Sequence, residues 1–319
     1  YANFQQSLNK AIPDAFNNII SMSADERKYI LFTSSDQVPG AYYLGNRDDT
    51  SLSFVLEQYP LLYQHKLGSK SKVSYKARDG VMLEAYVTLP DAGIKKNNPA
   101  IVLPHGGPMA RTYDGFDWFT AFFANRGYTI IEPNFRGSSG YGFEFEMASI
   151  GKWGGKMQDD LADTANWLVE NYSIDKNKIC ILGGSYGGYA ALMAAVKQQA
   201  TFRCAASFAG VADLEFIVRK SYRFTNSDVV KKQLGNKDLD EKSPINFAKQ
   251  INIPVMLIHG SEDRVVDVAH SRNMYDELQD HDKDVEYVEL ANGNHHMSIE
   301  ANRLKVLTSF EKFLAKHLQ

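Results

Sequence analysis

The sequence predicts an α/β protein with a doubly wound, mostly parallel sheet, preceded by a smaller segment of antiparallel strands. From about residue 70 onward, short apolar runs alternate with longer helical patterns, as they do in βαβ units. The first 66 residues contain only short runs separated by turn-rich pieces, which is typical of antiparallel β-structure. The chain has 319 residues, of which 44% are hydrophobic, so it can bury a large core and still carry an appended segment.

The amino-terminal segment, residues 1–66, is predicted to form one four-stranded sheet. A turn-rich piece at 23–26 separates the first two strands. The four predicted strands are 18–22, 28–33, 41–44 and 52–56.

The segment 67–319 is predicted to form the parallel sheet and its helices. It opens with an antiparallel pair, 73–76 and 82–89, joined by a turn at 78–80. The predicted parallel strands are 101–103, 128–132, 179–182, 205–208, 255–258 and 285–290. The predicted helices are 118–125, 158–170, 186–197, 269–279 and 302–316.

The candidate nucleophile is Ser185, which lies in a G-x-S-x-G motif at 183–187 between a predicted strand and a predicted helix. Such a motif forces the serine into a strained turn whose hydroxyl projects from the sheet edge. The amino end of the following helix favours the negative charge that develops in acyl transfer. The sequence therefore predicts a nucleophile elbow.

A serine hydroxyl needs a base and an orienting acid, and candidates for both follow in the chain. Asp263 comes just after the apolar strand 255–258, and His295 comes just after the strand 285–290. Catalytic groups collect at the carboxyl ends of strands in open α/β sheets, and the order Ser, Asp, His is the usual one for such a triad. The alternative for Asp263 is a capping role for the segment near Val266.

The candidate oxyanion hole combines two backbone N–H groups. The strand 101–103 runs into the glycine-containing loop 104–108, which would contribute Gly107, and the elbow would contribute Tyr186. In comparable enzymes, one such donor stabilises the transition state by roughly 3 kcal/mol.

These motifs resemble those of the prolyl oligopeptidase family of serine peptidases, and most closely its acylaminoacyl-peptidase-like branch. The resemblance is carried by the elbow together with the segments 76–80, 105–108, 134–142, 153–155 and 259–263. It implies an α/β-hydrolase fold in which Ser185 is the nucleophile, Asp263 the orienting acid and His295 the general base. His295 is preferred over His296 because residues 302–303 then fall at the family's usual distance beyond the base.

The resemblance also implies features outside the triad. Residues 1–66 would be the last part of a β-propeller whose upstream blades, missing from this chain, would be its partner. The chain begins with Tyr1 instead of methionine, so we expect a fragment or a processed form. The family builds an apolar substrate pocket in the regions that here contain Leu214, Ile217, Tyr222 and Val266.

The predicted function is that of a serine peptidase that cleaves short peptides or N-acylated amino acids through an acyl-enzyme. The alternatives are a carboxylesterase-type hydrolase and a catalytically inert binding protein with a hydrolase fold. The chemistry requires no cofactor, and the adjacent histidines at 295–296 do not have the spacing of a metal site.

Bulk properties exclude other classes of protein. The net charge is −3 and no basic stripe is present, so we expect no nucleic-acid partner. No apolar run approaches the 18 or so residues that a membrane helix requires. Cys180 and Cys204 lie in apolar strands and are predicted to be buried thiols. We expect a cytoplasmic protein, with a periplasmic or secreted one as the alternative, and leave a homo-oligomer open.

Overall fold

The computed structural model describes all residues except Tyr1, Phe224, Asn226 and Asn236. It divides the chain into two compact units. The first unit comprises Tyr1–Ser71, Thr88–Gly93 and Tyr113–Gly127, and the second comprises Lys72–Val87, Ile94–Thr112 and Tyr128–Gln319. The division at residue 66 that the sequence suggests stays a prediction.

The first unit is built on a four-stranded antiparallel sheet with the strands in sequence order. All four predicted strands are present, with ends that extend by up to two residues. The elements are α1 (Ala2–Ala11), β1 (Phe16–Met22), β2 (Lys28–Ser34), β3 (Ala41–Asn46), β4 (Ser51–Glu57) and α2 (Trp118–Asn125).

Helix α1 was not predicted from the sequence, and its packing explains its presence. Only Leu8 is buried in this helix, where it joins Ile19 and Leu31 of the sheet in a small apolar cluster. Phe4 lies one helical turn before Leu8 and packs edge-on against Tyr29, with ring centroids 5.0 Å apart. Residues at i and i+4 share one helix face, so α1 covers the sheet with a narrow apolar stripe.

The second unit contains an eight-stranded sheet. The strands are β5 (Lys70–Lys76), β6 (Met82–Thr88), β7 (Asn98–Val102), β8 (Thr129–Asn134), β9 (Ile174–Gly184), β10 (Cys204–Phe208), β11 (Val255–Gly260) and β12 (Val285–Leu290). Their order across the sheet is β12-β11-β10-β9-β7-β8-β6-β5. The neighbouring strands from β12 to β8 in this order pair in parallel, as predicted.

Helices follow most of the parallel strands, which makes the sheet doubly wound as predicted. All five predicted helices are present, and α2 has the predicted bounds. The further helices are α3 (Phe143–Met147), α4 (Lys156–Asn171), α5 (Tyr186–Lys197), α6 (Leu214–Ser221), α7 (Ser227–Leu234), α8 (Ala269–Asp280) and α9 (Glu300–Leu318).

The register of the central strands brings their carboxyl ends to one edge of the sheet. Phe208 at the end of β10 lies beside Gly184 of β9 on one side and Ile258 of β11 on the other. Gly260 at the end of β11 lies beside Leu290 at the end of β12. The loops that follow β9, β11 and β12 therefore leave the sheet at the same edge.

The core strands are buried on both faces. Cys180 and Cys204 face each other across β9 and β10 in register, and both are buried free thiols, which confirms their predicted role. Among the described residues, no helix combines the length and the apolar character that crossing a membrane would require.

Candidate active site

Ser185 occupies the sharp turn between β9 and α5, and the predicted strand–turn–helix context is confirmed. Its backbone has φ +57° and ψ −119°, a conformation that costs energy for a residue with a side chain. The turn is fixed from both sides: the Ser185 N–H donates to the carbonyl of Phe208 in β10 at 2.9 Å, and the Ser185 carbonyl accepts the N–H of Tyr189 at 3.0 Å. The surrounding fold thus holds the strained serine in place.

The loop after β7 passes directly beside this turn. A Cβ atom on Gly187 would lie 2.1 Å from the carbonyl oxygen of Pro104, so only glycine fits there. A Cβ atom on Gly106 would lie 3.5 Å from the Cβ atom of Ser185, an ordinary contact that places this loop next to the serine. Gly187 therefore allows the predicted oxyanion loop to pass close to the elbow.

Asp263 and His295 are joined by a hydrogen bond. The Nδ1 atom of His295 lies 2.7 Å from Oδ2 of Asp263. The Asp263 side chain is fully buried, whereas 11% of the His295 side chain is exposed. The structure thus brings together two of the three predicted triad residues, in the arrangement that orients an imidazole for general-base catalysis.

The loop that contains Asp263 explains why the carboxylate stays charged. Its Oδ1 atom accepts the N–H groups of Val265 and Val266 at 2.8 and 2.9 Å, so the residue also organises its own turn. Burial alone would raise the pKa of Asp263, but the hydrogen bonds that it receives, led by the one from His259, outweigh burial and hold that pKa well below its usual range. An ionised Asp263 faces His295 at neutral pH.

His259 also contacts the carboxylate of Asp263. It is assigned no catalytic role from the sequence. Its Nε2 atom donates to the carbonyl of Val266 at 2.9 Å and lies 3.4 Å from Oδ2 of Asp263. Its Nδ1 atom lies 2.7 Å from the hydroxyl of Ser271, which donates to it. The sequence signal that could have indicated this role is a histidine inside β11, a strand that is otherwise apolar.

Ser185 and His295 leave the sheet at the same edge, from β9 and β12. Within the described part of the chain, Ser185 Oγ forms no hydrogen bond, so its contact with His295 is a proposal. Catalytic hydrogen bonds are often long without substrate and tighten when substrate binds.

The two predicted oxyanion donors are neighbours in sequence of residues at the elbow: Gly107 follows Gly106, and Tyr186 follows Ser185. Gly107 has φ +122°, a conformation that favours glycine. Tyr186 is the first residue of α5, so its N–H has no acceptor within the helix. Their joint action on an oxyanion is part of the proposal below.

The four predicted pocket residues have different surroundings. Leu214 begins α6 and is completely buried, and its N–H donates to the Ser243 hydroxyl at 2.8 Å. Val266 is buried beside Asp263, Ile217 is half-buried in α6, and Tyr222 is 66% exposed. Their role in substrate binding stays a prediction. Over the described ranges, no cluster of three or more histidine, cysteine or carboxylate side chains could hold a metal ion.

The parallel sheet with an elbow after β9, an acid after β11 and a histidine after β12 defines the α/β-hydrolase fold. The sequence model of the prolyl oligopeptidase family matches residues 114–319, and the chain belongs to this family of serine peptidases. This result confirms the family predicted from the motifs.

Known proteins from three organisms are similar to this chain. The dipeptidyl aminopeptidase BIII of Pseudoxanthomonas mexicana is 30% identical over 94% of this chain and 46% of its own length. The dipeptidyl peptidase family member 6 of Caenorhabditis elegans is 30% identical over 96% of this chain and 46% of its own length. The structure of the Pyrococcus horikoshii acylaminoacyl peptidase matches with a TM-score of 0.81 and 26% identity, over 95% of this chain and 50% of that one. The chain therefore spans about half the length of the relatives it matches.

Proposed function

We propose that the chain is a serine peptidase that hydrolyses short peptides or N-acylated amino acids through an acyl-enzyme on Ser185. The observation that carries the proposal is the 2.7 Å hydrogen bond between Asp263 and His295 at the sheet edge from which the serine elbow emerges. Membership of the prolyl oligopeptidase family supports the peptidase class. Relatives named for dipeptidyl and acylaminoacyl activities support substrates of these two kinds.

In the proposed mechanism, Nε2 of His295 removes the proton of the Ser185 hydroxyl as Oγ attacks the scissile carbonyl. Asp263 keeps the proton of the imidazole on Nδ1 and stabilises the imidazolium that forms. The N–H groups of Gly107 and Tyr186 donate to the oxyanion of the tetrahedral intermediate. The imidazolium then protonates the leaving amine, and a water molecule activated by His295 hydrolyses the acyl-enzyme.

The four-stranded sheet of the first unit is proposed to be one blade of a β-propeller, with further blades as its partner. Its edge strands, β1 and β4, each have a backbone edge that the sheet itself does not pair. Large apolar side chains on these strands are exposed: Phe16 is 62%, Ile20 50%, Phe54 58% and Leu56 49% exposed. Exposed apolar side chains on edge strands are what a neighbouring blade would cover.

The test compares peptides with free and blocked amino ends with simple esters of the same acyl groups. We expect measurable kcat/KM values on peptides or acyl-peptides as well as on the matching esters, because esters react readily with any activated serine, whereas amide cleavage also requires His295 to protonate the leaving amine. Ser185→Ala should lower turnover by about a millionfold, because the triad acts as a unit. Ser53→Ala, which changes an exposed serine of β4, is the matched control.

Hydrolysis of the esters without cleavage of any peptide would contradict the peptidase and favour a carboxylesterase. A folded Ser185→Ala protein that keeps its activity within a few-fold would contradict the mechanism. Absence of any hydrolysis by the unchanged protein would favour the inert binding protein.

A further inference from the structure

A cavity of about 650 Å³ lies in the second unit, beside the start of α4, and its lining includes neither the proposed triad nor the oxyanion donors. Its walls come from the glycine-containing loop before α4, the first turn of α4, the end of α5 and the segment at 241–242. We call it the α4 cavity. Its lining is unusually rich in cationic side chains: Arg136, Lys152, Lys156, Lys197 and Lys242, with Glu241 as the one carboxylate.

Two of these cations are already neutralised. Arg136 forms ion pairs with Asp160 and with Asp79, and Asp79 also pairs with Lys156 at 3.1 Å. These two cations and two carboxylates balance each other. This group contributes no net charge to the α4 cavity.

The other three lysines are not balanced. Over the described residues, none of Lys152, Lys197 and Lys242 forms an ion pair, and Glu241 is the only carboxylate in the lining. Asp159, another carboxylate in this region, shares Arg78 with Asp163: Arg78 lies 3.6 Å from Asp159 and 2.7 Å from Asp163. Three ammonium groups against Glu241 and the partly neutralised Asp159 still leave an excess of positive charge.

Two of these ammonium groups are held at the cavity wall by backbone carbonyls. Lys197 donates to the carbonyl of Gly154 at 2.6 Å, and Lys242 donates to the carbonyl of Gly151 at 3.3 Å. An ammonium has three donors, so each lysine keeps at least one for a ligand. Burial is the main cause that lowers the pKa of Lys197; Asp159 and Glu241 oppose it, and Lys242 lowers that pKa by a smaller amount.

Two kinds of neutral hydrogen-bond donor, a side chain and backbone N–H groups, also favour an anionic ligand. The Trp153 side chain lines the cavity and is 95% buried, because its exposed fraction is 5%. Its indole N–H has no hydrogen-bond partner among the described residues, and such a buried donor is costly to leave unpaired. Helix α4 has 16 residues and begins after Gly155 without a side-chain cap; the Gln158 N–H donates to the Gly155 carbonyl at 2.9 Å, and the N–H groups of Lys156 and Met157 have no acceptor within the helix.

We propose that the α4 cavity binds a phosphate group, either as the free ion or as part of a small phosphorylated molecule. A phosphate anion would balance the excess positive charge and would accept hydrogen bonds from Lys152, Lys197 and Lys242. Lysine and helix amino ends are common phosphate ligands in proteins. The cavity is much larger than a phosphate ion, and Trp153 and Met157 offer apolar contacts for an attached organic group.

The test is calorimetric titration of the full chain with inorganic phosphate and with phenyl phosphate, at an ionic strength kept constant with chloride. We expect saturable binding of at least one of the two. Tighter binding of phenyl phosphate would identify a phosphorylated molecule as the ligand, and equal binding would identify the free ion. Because this measurement does not use catalysis, its outcome is independent of the proposed peptidase activity.

Lysine variants show whether the α4 cavity is the site. Lys197→Met should weaken binding about tenfold or more, because it removes one charged hydrogen bond. Lys152→Met should also weaken binding, and because this exposed side chain has no role in the fold, it guards against loss of folding. Lys305→Met on the exposed face of α9 is the matched control and should bind normally. The absence of saturable binding, or normal binding by both cavity variants, would overturn the proposal.

Discussion

At the scale of single residues, two histidines contact Asp263 and differ in their surroundings: His295 is partly exposed and His259 is buried. His295 is partly exposed and faces the sheet edge, where it can exchange protons with a substrate. His259 is completely buried, and its Nε2–H is committed to the carbonyl of Val266 and to Asp263. His259 is therefore a positioning residue that keeps Asp263 ionised and its turn closed.

Replacing His259 tests this division. In His259→Leu, Asp263 loses a donor, so its pKa should rise toward the ordinary range and the carboxylate should protonate at a higher pH. We expect kcat at pH 8 to fall about tenfold or more, since one hydrogen bond to a charged group is worth roughly 1.5–3 kcal/mol. The measurement is kcat and KM of the variant and of the unchanged protein at pH 8.

The conservative variant His259→Gln keeps an N–H donor and should restore part of kcat. An unchanged kcat in His259→Leu, or a loss that appears only in KM, would mean that His259 merely fills space. Circular dichroism of both variants checks that they are folded.

The triad residues could be predicted because each lies shortly after a predicted strand, in the order Ser, Asp, His. Ser185 follows β9 directly, Asp263 follows the end of β11 at Gly260, and His295 follows the end of β12 at Leu290. His259 lies inside β11, where its side chain could equally have been an inert buried histidine. Only the distances to Val266 and Ser271 distinguish the two interpretations.

At the scale of elements, the long and strongly periodic segments were predictable from the sequence. The bounds of β12 and α2 are those predicted, because turn residues flank both. Strand β9 begins at Ile174, five residues before its predicted start, because the polar stretch 175–178 continues the strand beyond the apolar run. Pairing with β7 across an irregularity at Asn98–Ala100 stabilises that extension.

The short helices were not predictable in the same way. Helices α6 and α7 have eight residues each, as α2 does, and α3 has five; α3, α6 and α7 all contain charged side chains and lack the nearly continuous apolar run that marks α2. Tertiary contacts stabilise such short helices more than intrinsic propensity does. A signal for α6 was present in Asp213, whose carboxylate accepts the N–H of Phe216 as a helix cap.

At the scale of the whole molecule, two buried histidines should make the fold sensitive to mild acid. Burial lowers the pKa of His105 to about 4 and that of His270 to about 3. In the unfolded chain both groups would take up a proton near pH 6.5. Between these values the unfolded state binds more protons than the folded state, so the free energy of unfolding falls as the pH falls.

We therefore expect stability to be greatest above pH 6.5 and to fall between about pH 6.5 and pH 4. Each histidine contributes a slope of up to about 1.4 kcal/mol per pH unit. Carboxylates with lowered pKa values, such as Glu289 at about 2, lose their stabilising effect only at lower pH. The measurement is urea unfolding at pH 7, 6 and 5.

His270→Gln should reduce that slope by about half, because one of the two titrating groups is removed. His65→Gln, which changes an exposed histidine, is the matched control. A free energy of unfolding that stays constant from pH 7 to pH 5 would contradict this account of the buried histidines.

The central claim is that the fold turns Ser185 into an activated nucleophile, and covalent labelling with a fluorophosphonate tests it most directly. Peptide mass mapping should find one modified residue, Ser185. The labelling rate should fall about 10⁴-fold in Asp263→Asn, because the His295 tautomer is then wrong, and should be unchanged in Asp267→Asn. Labelling of another serine, no labelling at all, or an equal rate in Asp263→Asn would contradict the account.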